Sequence, residues 1–138
     1  MLGCKEQENT KPELKDIAEL SNTVIGVSEK DGDVVTVTDQ SILKAGQQLL
    51  KDTGLDIETK SYQMIEIDNK KYLRIFSTYN YVTTLELMVD TDNNLVTGNT
   101  ACTSKVKASG EGCLPNGDYC TASKDGGDAE ECVRTTTA

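Results

Sequence analysis

Apolar and polar residues alternate in short runs along most of this chain, and one segment breaks the alternation with a helical period. Thr23 to Ser28 (Thr-Val-Ile-Gly-Val-Ser) and Asp33 to Thr38 (Asp-Val-Val-Thr-Val-Thr) read as strands. Asp31-Gly32 between them is a turn signal, so the two are expected to pair as a hairpin. Ile42, Ala45, Gly46, Leu49 and Leu50 then fall on one helix face, with Gln40, Lys44, Gln47, Gln48 and Lys51 mostly on the other. Asp39 or Ser41 can cap this helix, which runs to about Thr53 with Gly54 just past its end. Leu14, Ile17, Ala18 and Leu20 also have roughly helical spacing. Glu13 to Leu20 is therefore read as a short helix or as part of a tether.

Residues 57–97 return to alternation and read as an antiparallel meander. Ile65 shares a face with Ile67, Leu73 with Ile75, and Leu85 with Leu87 and Val89. Pairing these sets requires opposite residues to sum to an even number. A centre at Lys70 pairs Ile67 with Leu73 and Ile65 with Ile75. A centre at Asn80 pairs Ile75 with Leu85 and Leu73 with Leu87. The same registers bring Glu66, Arg74 and Glu86 into one charged row on the opposite face. Asp90-Thr91-Asp92-Asn93-Asn94 makes the next turn, and Leu95-Val96-Thr97 returns toward Cys102.

The fold class this implies is α+β: an antiparallel β-meander packed on one main helix, with a disulfide-stapled irregular C-terminal tail. Residues 1–12 form a flexible tether, 13–100 the α+β domain, and 101–138 a Cys-rich tail packed on the same domain. The meander's second face carries Tyr62, Met64, Tyr72, Phe76, Val82 and Met88 around the charged row. It is half apolar, so either the tail covers it or a partner does. Tyr62, Met64, Tyr72, Phe76 and Met88 are the candidate partner face.

Five cysteines sort into four and one: Cys102, Cys113, Cys120 and Cys132 in the tail, and Cys4 near the start. The tail has only Val106, Leu114 and Val133 as large aliphatics, too few to offset its ordering entropy by burial. Two disulfides would constrain it by roughly 2–4 kcal/mol each. Four cysteines allow three pairings. Interlocked loops hold a core-poor tail better than separate small rings, which favours Cys102–Cys120 with Cys113–Cys132. Zinc is the competing reading, but the gaps C-x10-C-x6-C-x11-C contain no close ligand pair and the chain has no His. Disulfides imply an oxidising compartment.

Charge and composition exclude more than they assign. Lys and Arg number 14 against 23 Asp and Glu, a net charge of −9, which excludes a phosphate-backbone binder of nucleic acid. The absence of His removes His-based triads and His-ligated metals. There is no nucleophile elbow, no phosphate-binding glycine loop and no membrane-spanning run. Asp90, Asp92 and Asn94 resemble the opening of a calcium loop, yet Leu95 stands where glycine belongs and Ala101 where the closing acid belongs. Asp125, Asp128, Glu130 and Glu131 beside Gly126-Gly127 read as a solvated acidic loop. Glu66 and Glu86 would have Arg74 between them, which lowers both acids, the wrong direction for a general acid. No catalytic residue and no cofactor is assigned.

Leu2-Gly3-Cys4 resembles the end of a bacterial lipobox, and the polar run Lys5 to Pro12 resembles the tether that follows one. The start Leu2 to Glu8, with the tail strings Gly112 to Cys120 and Cys132 to Thr135, is similar to small Bacteroidota-type lipoproteins. The resemblance implies an export signal removed or truncated upstream and acylation at Cys4. It places the protein at the bacterial outer membrane, lipid-anchored, facing the periplasm or the surface. It implies a non-catalytic binding or accessory module whose partners are the membrane, through the lipid, and another envelope protein. The alternatives are a small secreted hydrolase or inhibitor-like protein, and a calcium-dependent adhesion module.

Overall fold

A computed structural model describes residues 14–105, 113–117, 119–122 and 133–136. Its elements in chain order are β1 (Val24–Glu29), β2 (Gly32–Val35), α1 (Asp39–Asp52), β3 (Thr59–Ile67), β4 (Lys70–Ser77), β5 (Tyr81–Val89), β6 (Asn94–Lys105), β7 (Cys113–Asn116), β8 (Tyr119–Ala122) and β9 (Val133–Thr136). The main sheet runs β2-β1-β6-β5-β4-β3, with β9 as a seventh strand on β6, and β7 and β8 form a separate hairpin. The described residues are therefore dominated by antiparallel sheet, with one α-helix, so the expected α+β class is matched only loosely.

The sheet curls around the helix. Leu20, Ile25, Val37, Ile42, Ala45, Leu49, Leu73, Ile75, Leu85, Leu87, Leu95 and Ala101 form one buried cluster on its inner face. Lys71 of β4 reaches Asp33 of β2, with Nζ 2.7 Å from the carboxylate. Those strands are four places apart in the order, about 19 Å in a flat sheet. Two side chains cannot span that gap, so the sheet must coil.

The helix follows its sequence pattern closely. Ser41, Ile42, Ala45, Gly46, Leu49 and Leu50 are buried. Its N-cap is Thr38, whose hydroxyl oxygen accepts from the Ser41 N–H at 3.2 Å, rather than Asp39 or Ser41. Thr38 also donates to the Asp16 carboxylate at 2.5 Å, which the sequence pattern does not reveal. Gly54 follows the C-cap with φ +84°. The helix lies so close to the sheet that a Cβ on Gly46 would sit 2.9 Å from Ile75 Cδ1.

Residues 14–20 form no helix. Lys15 N–H donates to Thr36 O at 3.2 Å, and Lys15 O accepts from Thr38 N–H at 2.8 Å. Leu20 is fully buried. Extended backbone satisfies Lys15 and delivers Leu20 to the core.

The first two strands pair with Glu29 opposite Gly32, so the connecting residues are Lys30-Asp31 rather than Asp31-Gly32. The meander registers also differ from the even-sum expectation. Ile67 pairs with Lys70, Met64 with Leu73 and Tyr62 with Ile75. Asp68 and Asn69, with φ +51° and +69°, form a two-residue turn of the kind that needs both centres left-handed. That turn forces an odd sum and turns Tyr62 and Met64, not Ile65 and Ile67, toward the core. β4 and β5 keep the expected parity but slip by two, with Leu73 opposite Leu85. The slip follows from the turn at Thr78–Asn80, where Tyr79 and Asn80 both have positive φ.

The expected charged row does not form. Glu66 pairs with Lys71 on the inner-facing side, whereas Arg74 pairs with Gln63 and Thr84 on the outer one. β6 continues to Lys105, with residues 101–104 buried, so Ala101–Lys105 is strand and not the start of an irregular tail.

Candidate functional site

The outer face of the sheet is built by β5, β6 and the β7–β8 hairpin. Cys102 projects outward, because its neighbour Ala101 belongs to the inner core. It is bonded to Cys120 of β8, with Cα atoms 5.8 Å apart. Cys113 of β7 is buried, and its N–H donates to the Ser104 hydroxyl at 3.3 Å. Cys113 is also disulfide-bonded. Cys4 and Cys132 lie outside the described residues, as do Asp125, Asp128, Glu130, Glu131 and the tether. The hairpin thereby rests on β5 and β6.

Beside the hairpin, β6 bulges. Leu85 pairs with Ala101 but Leu87 with Thr97, so β6 holds two residues more than β5 over that span. Bulges of this kind bend a strand and re-aim its side chains. Here Gly98, Asn99 and Thr100 stand opposite Glu86 and line a cleft of about 170 Å³. Met88, Pro115 and Gly117 complete its walls. The volume is below that of ordinary small-molecule pockets, about 300–1,000 Å³, and suits a single side chain. Glu86 and Asn99 are the polar residues of its lining, and Met88 and Pro115 are apolar ones.

An apolar row leads away from the cleft. Met88 pairs with Val96 and Val96 with Val24, across three strands. Val27 and Val34 pair on the same side. Met88 is 48% exposed, Val24 42% and Val34 39%. These residues give the outer face of the sheet an apolar strip beside the cleft.

The five candidate partner-face residues do not share a face. Tyr62 and Met64 pack against the inner core. Tyr72 is outward but buried, Phe76 is outward with the Arg74 guanidinium 5.2 Å from its ring centre, and Met88 is exposed. Only Met88 belongs to the row. The others were missed because Val24, Val34 and Val96 sit next to core residues Ile25, Val35 and Leu95. Adjacent apolar pairs, where a one-sided sheet alternates, are the sequence signal for an apolar outer face.

Two other groups are accounted for. Asp90 caps its own turn: its carboxylate accepts from Asn94 N–H at 2.8 Å, Asp92 N–H at 2.9 Å and Asn94 Nδ2 at 3.2 Å. Those bonds, led by the Asn94 amide, hold its carboxyl below the usual range. Among the described residues no group of three His, Cys, Asp or Glu is arranged to hold a metal. Tyr62 donates its hydroxyl to Asp39 Oδ1 at the start of α1. Burial, then that hydrogen bond and the Asp39 charge, pushes the phenol well above its ordinary value. The pair lies at the end of an open groove between α1 and β3, lined by Leu43, Lys60 and Met64 among others.

No helix among the described residues is long and apolar enough to cross a membrane. Compared with known proteins, the chain matches no family model, no curated protein and no solved structure.

Proposed function

We propose that this chain is a non-catalytic binding module of the bacterial cell envelope, anchored through an acylated Cys4, that receives a basic segment of another envelope protein. The bulge cleft beside the exposed row carries this reading. A lysine or arginine side chain matches it: an alkyl stem against Met88 and Pro115, and a cationic, hydrogen-bond-donating tip at Glu86 and Asn99. Apolar residues flanking that side chain would cover Val96, Val24 and Val34. The net charge of −9 favours encounter with a basic partner. The disulfide-held hairpin supports an oxidising compartment, in keeping with an envelope address.

A photo-crosslinking residue placed at Val24 in membrane-derived cells tests the surface. A discrete adduct is expected, weakened by Glu86→Gln and lost with Met88→Asp, while a crosslinker at Tyr79 on the far turn gives none. Equal adducts from both positions would overturn the assignment. Intact mass of the membrane-extracted protein, before and after reduction, tests the anchor. An unacylated product would remove it.

A further inference from the structure

The turn that enters β1 is tied to the bulge in β6. Leu20 is fully buried in the inner core, and Asn22, with φ +51°, reverses the chain in the left-handed region that Asn tolerates. The Thr23 hydroxyl donates to Ser21 O at 2.8 Å and closes the turn. From there hydrogen bonds run to two consecutive residues of β6. Asn22 N–H donates to Gly98 O at 3.3 Å, and Thr97 N–H donates to Thr23 O at 2.9 Å. Thr23 N–H donates to the Thr97 hydroxyl oxygen at 3.0 Å, and that hydroxyl donates to Leu20 O. Thr97 is fully buried, where a hydroxyl is kept only with its partners satisfied.

These two residues open the bulge. Thr97 is the last rung before it, paired with Leu87, and the next rung is Leu85 with Ala101. Between the rungs, Gly98, Asn99 and Thr100 stand against the single residue Glu86. On the other flank of β6, Thr100 pairs with Thr136 of β9. The bulge is thus held between the turn at Asn22 and β9. Gly98 is where the turn meets the cleft. It lines the cleft with Glu86 and Met88, and a Cβ on it would lie 3.9 Å from both Glu86 O and Met88 Cε.

We propose that the turn Leu20–Thr23 is a latch on the cleft: through Thr97 and Gly98 it sets the form of the β6 bulge, so that seating of the segment before β1 and filling of the cleft favour each other. Such coupling is reciprocal. A side chain in the cleft tightens the segment by the same factor by which the seated segment tightens the cleft. Lifting the segment therefore weakens whatever the cleft holds. Thr97 is a positioning residue, since it lies outside the cleft lining and acts through Gly98. The linkage to an occupant rests on the reading of the cleft as a binding site, whereas the latch itself does not.

The test uses the full chain with carbon-13 methionine methyls. Thr97 pairs with the core residue Leu87 on the inner face, and Met88 is outward, so a change at Thr97 reaches Met88 only through the backbone of β6. Thr97→Val keeps the side-chain shape and removes the hydroxyl. It should move the Met88 signal, while Thr97→Ser, which keeps the hydroxyl, leaves that signal at the parent position. The Met64 signal, from the border strand β3, reports that the core is intact. Should Thr97→Val fail to fold, Leu20→Val, which shortens the buried anchor, replaces it with the same expectation. The capped tripeptide acetyl-Val-Arg-Val-amide probes the linkage. Thr97→Val should bind it about tenfold more weakly than the parent. In the parent, the tripeptide should slow amide exchange of Asn22 in step with occupancy and leave that of Thr78, bonded to Glu58 O at the far turn, unchanged. A Met88 signal unmoved in the valine variant overturns the latch. A tripeptide held equally by parent and variant also overturns it, and leaves the cleft standing as a binding site. A moved signal with no tripeptide bound by the parent upholds the latch and removes the binding site instead.

Discussion

Gly26 has the least room for a side chain of the glycines described. A Cβ there would lie 2.3 Å from the Val34 carbonyl oxygen and 3.2 Å from Val35 Cα. Both obstacles are backbone, so β1 and β2 would have to part. Gly26→Ala should cost about 1–3 kcal/mol, seen as a lower urea midpoint. Two titrating groups set opposite pH limits. Tyr62 has a raised phenol, so its contribution is full below about pH 10 and is lost as pH rises through the folded value. Tyr62→Phe should flatten the alkaline fall in denaturation midpoint. Asp90 has a lowered carboxyl, so its contribution is present above about pH 4 and is lost as pH falls through the folded value. Asp90→Asn should leave a shallower acid limb in a thermal-melt series.

At the scale of elements, turns outrank hydropathy. The helix was legible because one face carries Ile42, Ala45, Leu49 and Leu50 without a break. The β3 face was not, because Ile65 and Ile67 look more core-like than Tyr62 and Met64. Asp68-Asn69 decided otherwise, and that dipeptide, though lacking glycine, was the available signal. Asn69 has φ +69°. Asn69→Gly should therefore raise stability by about 0.5 kcal/mol, and Asn69→Val should lower it by about 1 kcal/mol or more, in chemical denaturation. The bulge in β6 was illegible for a different reason. It reflects the joint demands of β5 on one flank of β6 and of β1 and β9 on the other.

For the whole molecule, the sulfur reading carried the most information. The Cys102–Cys120 bond was favoured from loop topology alone, and it holds the β7–β8 hairpin against the sheet. Replacing both cysteines with alanine should cost about 3 kcal/mol, from the entropy of an 18-residue separation. Limited proteolysis should then cut within the hairpin before the sheet. The candidate cleft needed the structure, because Glu86, Asn99 and Pro115 come from three strands distant in sequence. Composition does not encode that convergence.

The clip at Lys15 has a mechanical consequence. A pull on the N-terminal segment meets the two backbone hydrogen bonds of Lys15, to Thr36 and Thr38, and then that of Asn22 N–H to Gly98 O, before load reaches β1. Those bonds act as a fuse. Stretched in an optical trap between that segment and a handle at exposed Tyr79, the protein should first lengthen by about 30 Å as residues 14–22 peel away. The rest of the sheet should rupture only at higher force, so the strands would keep their pairing while the segment before β1 gives way.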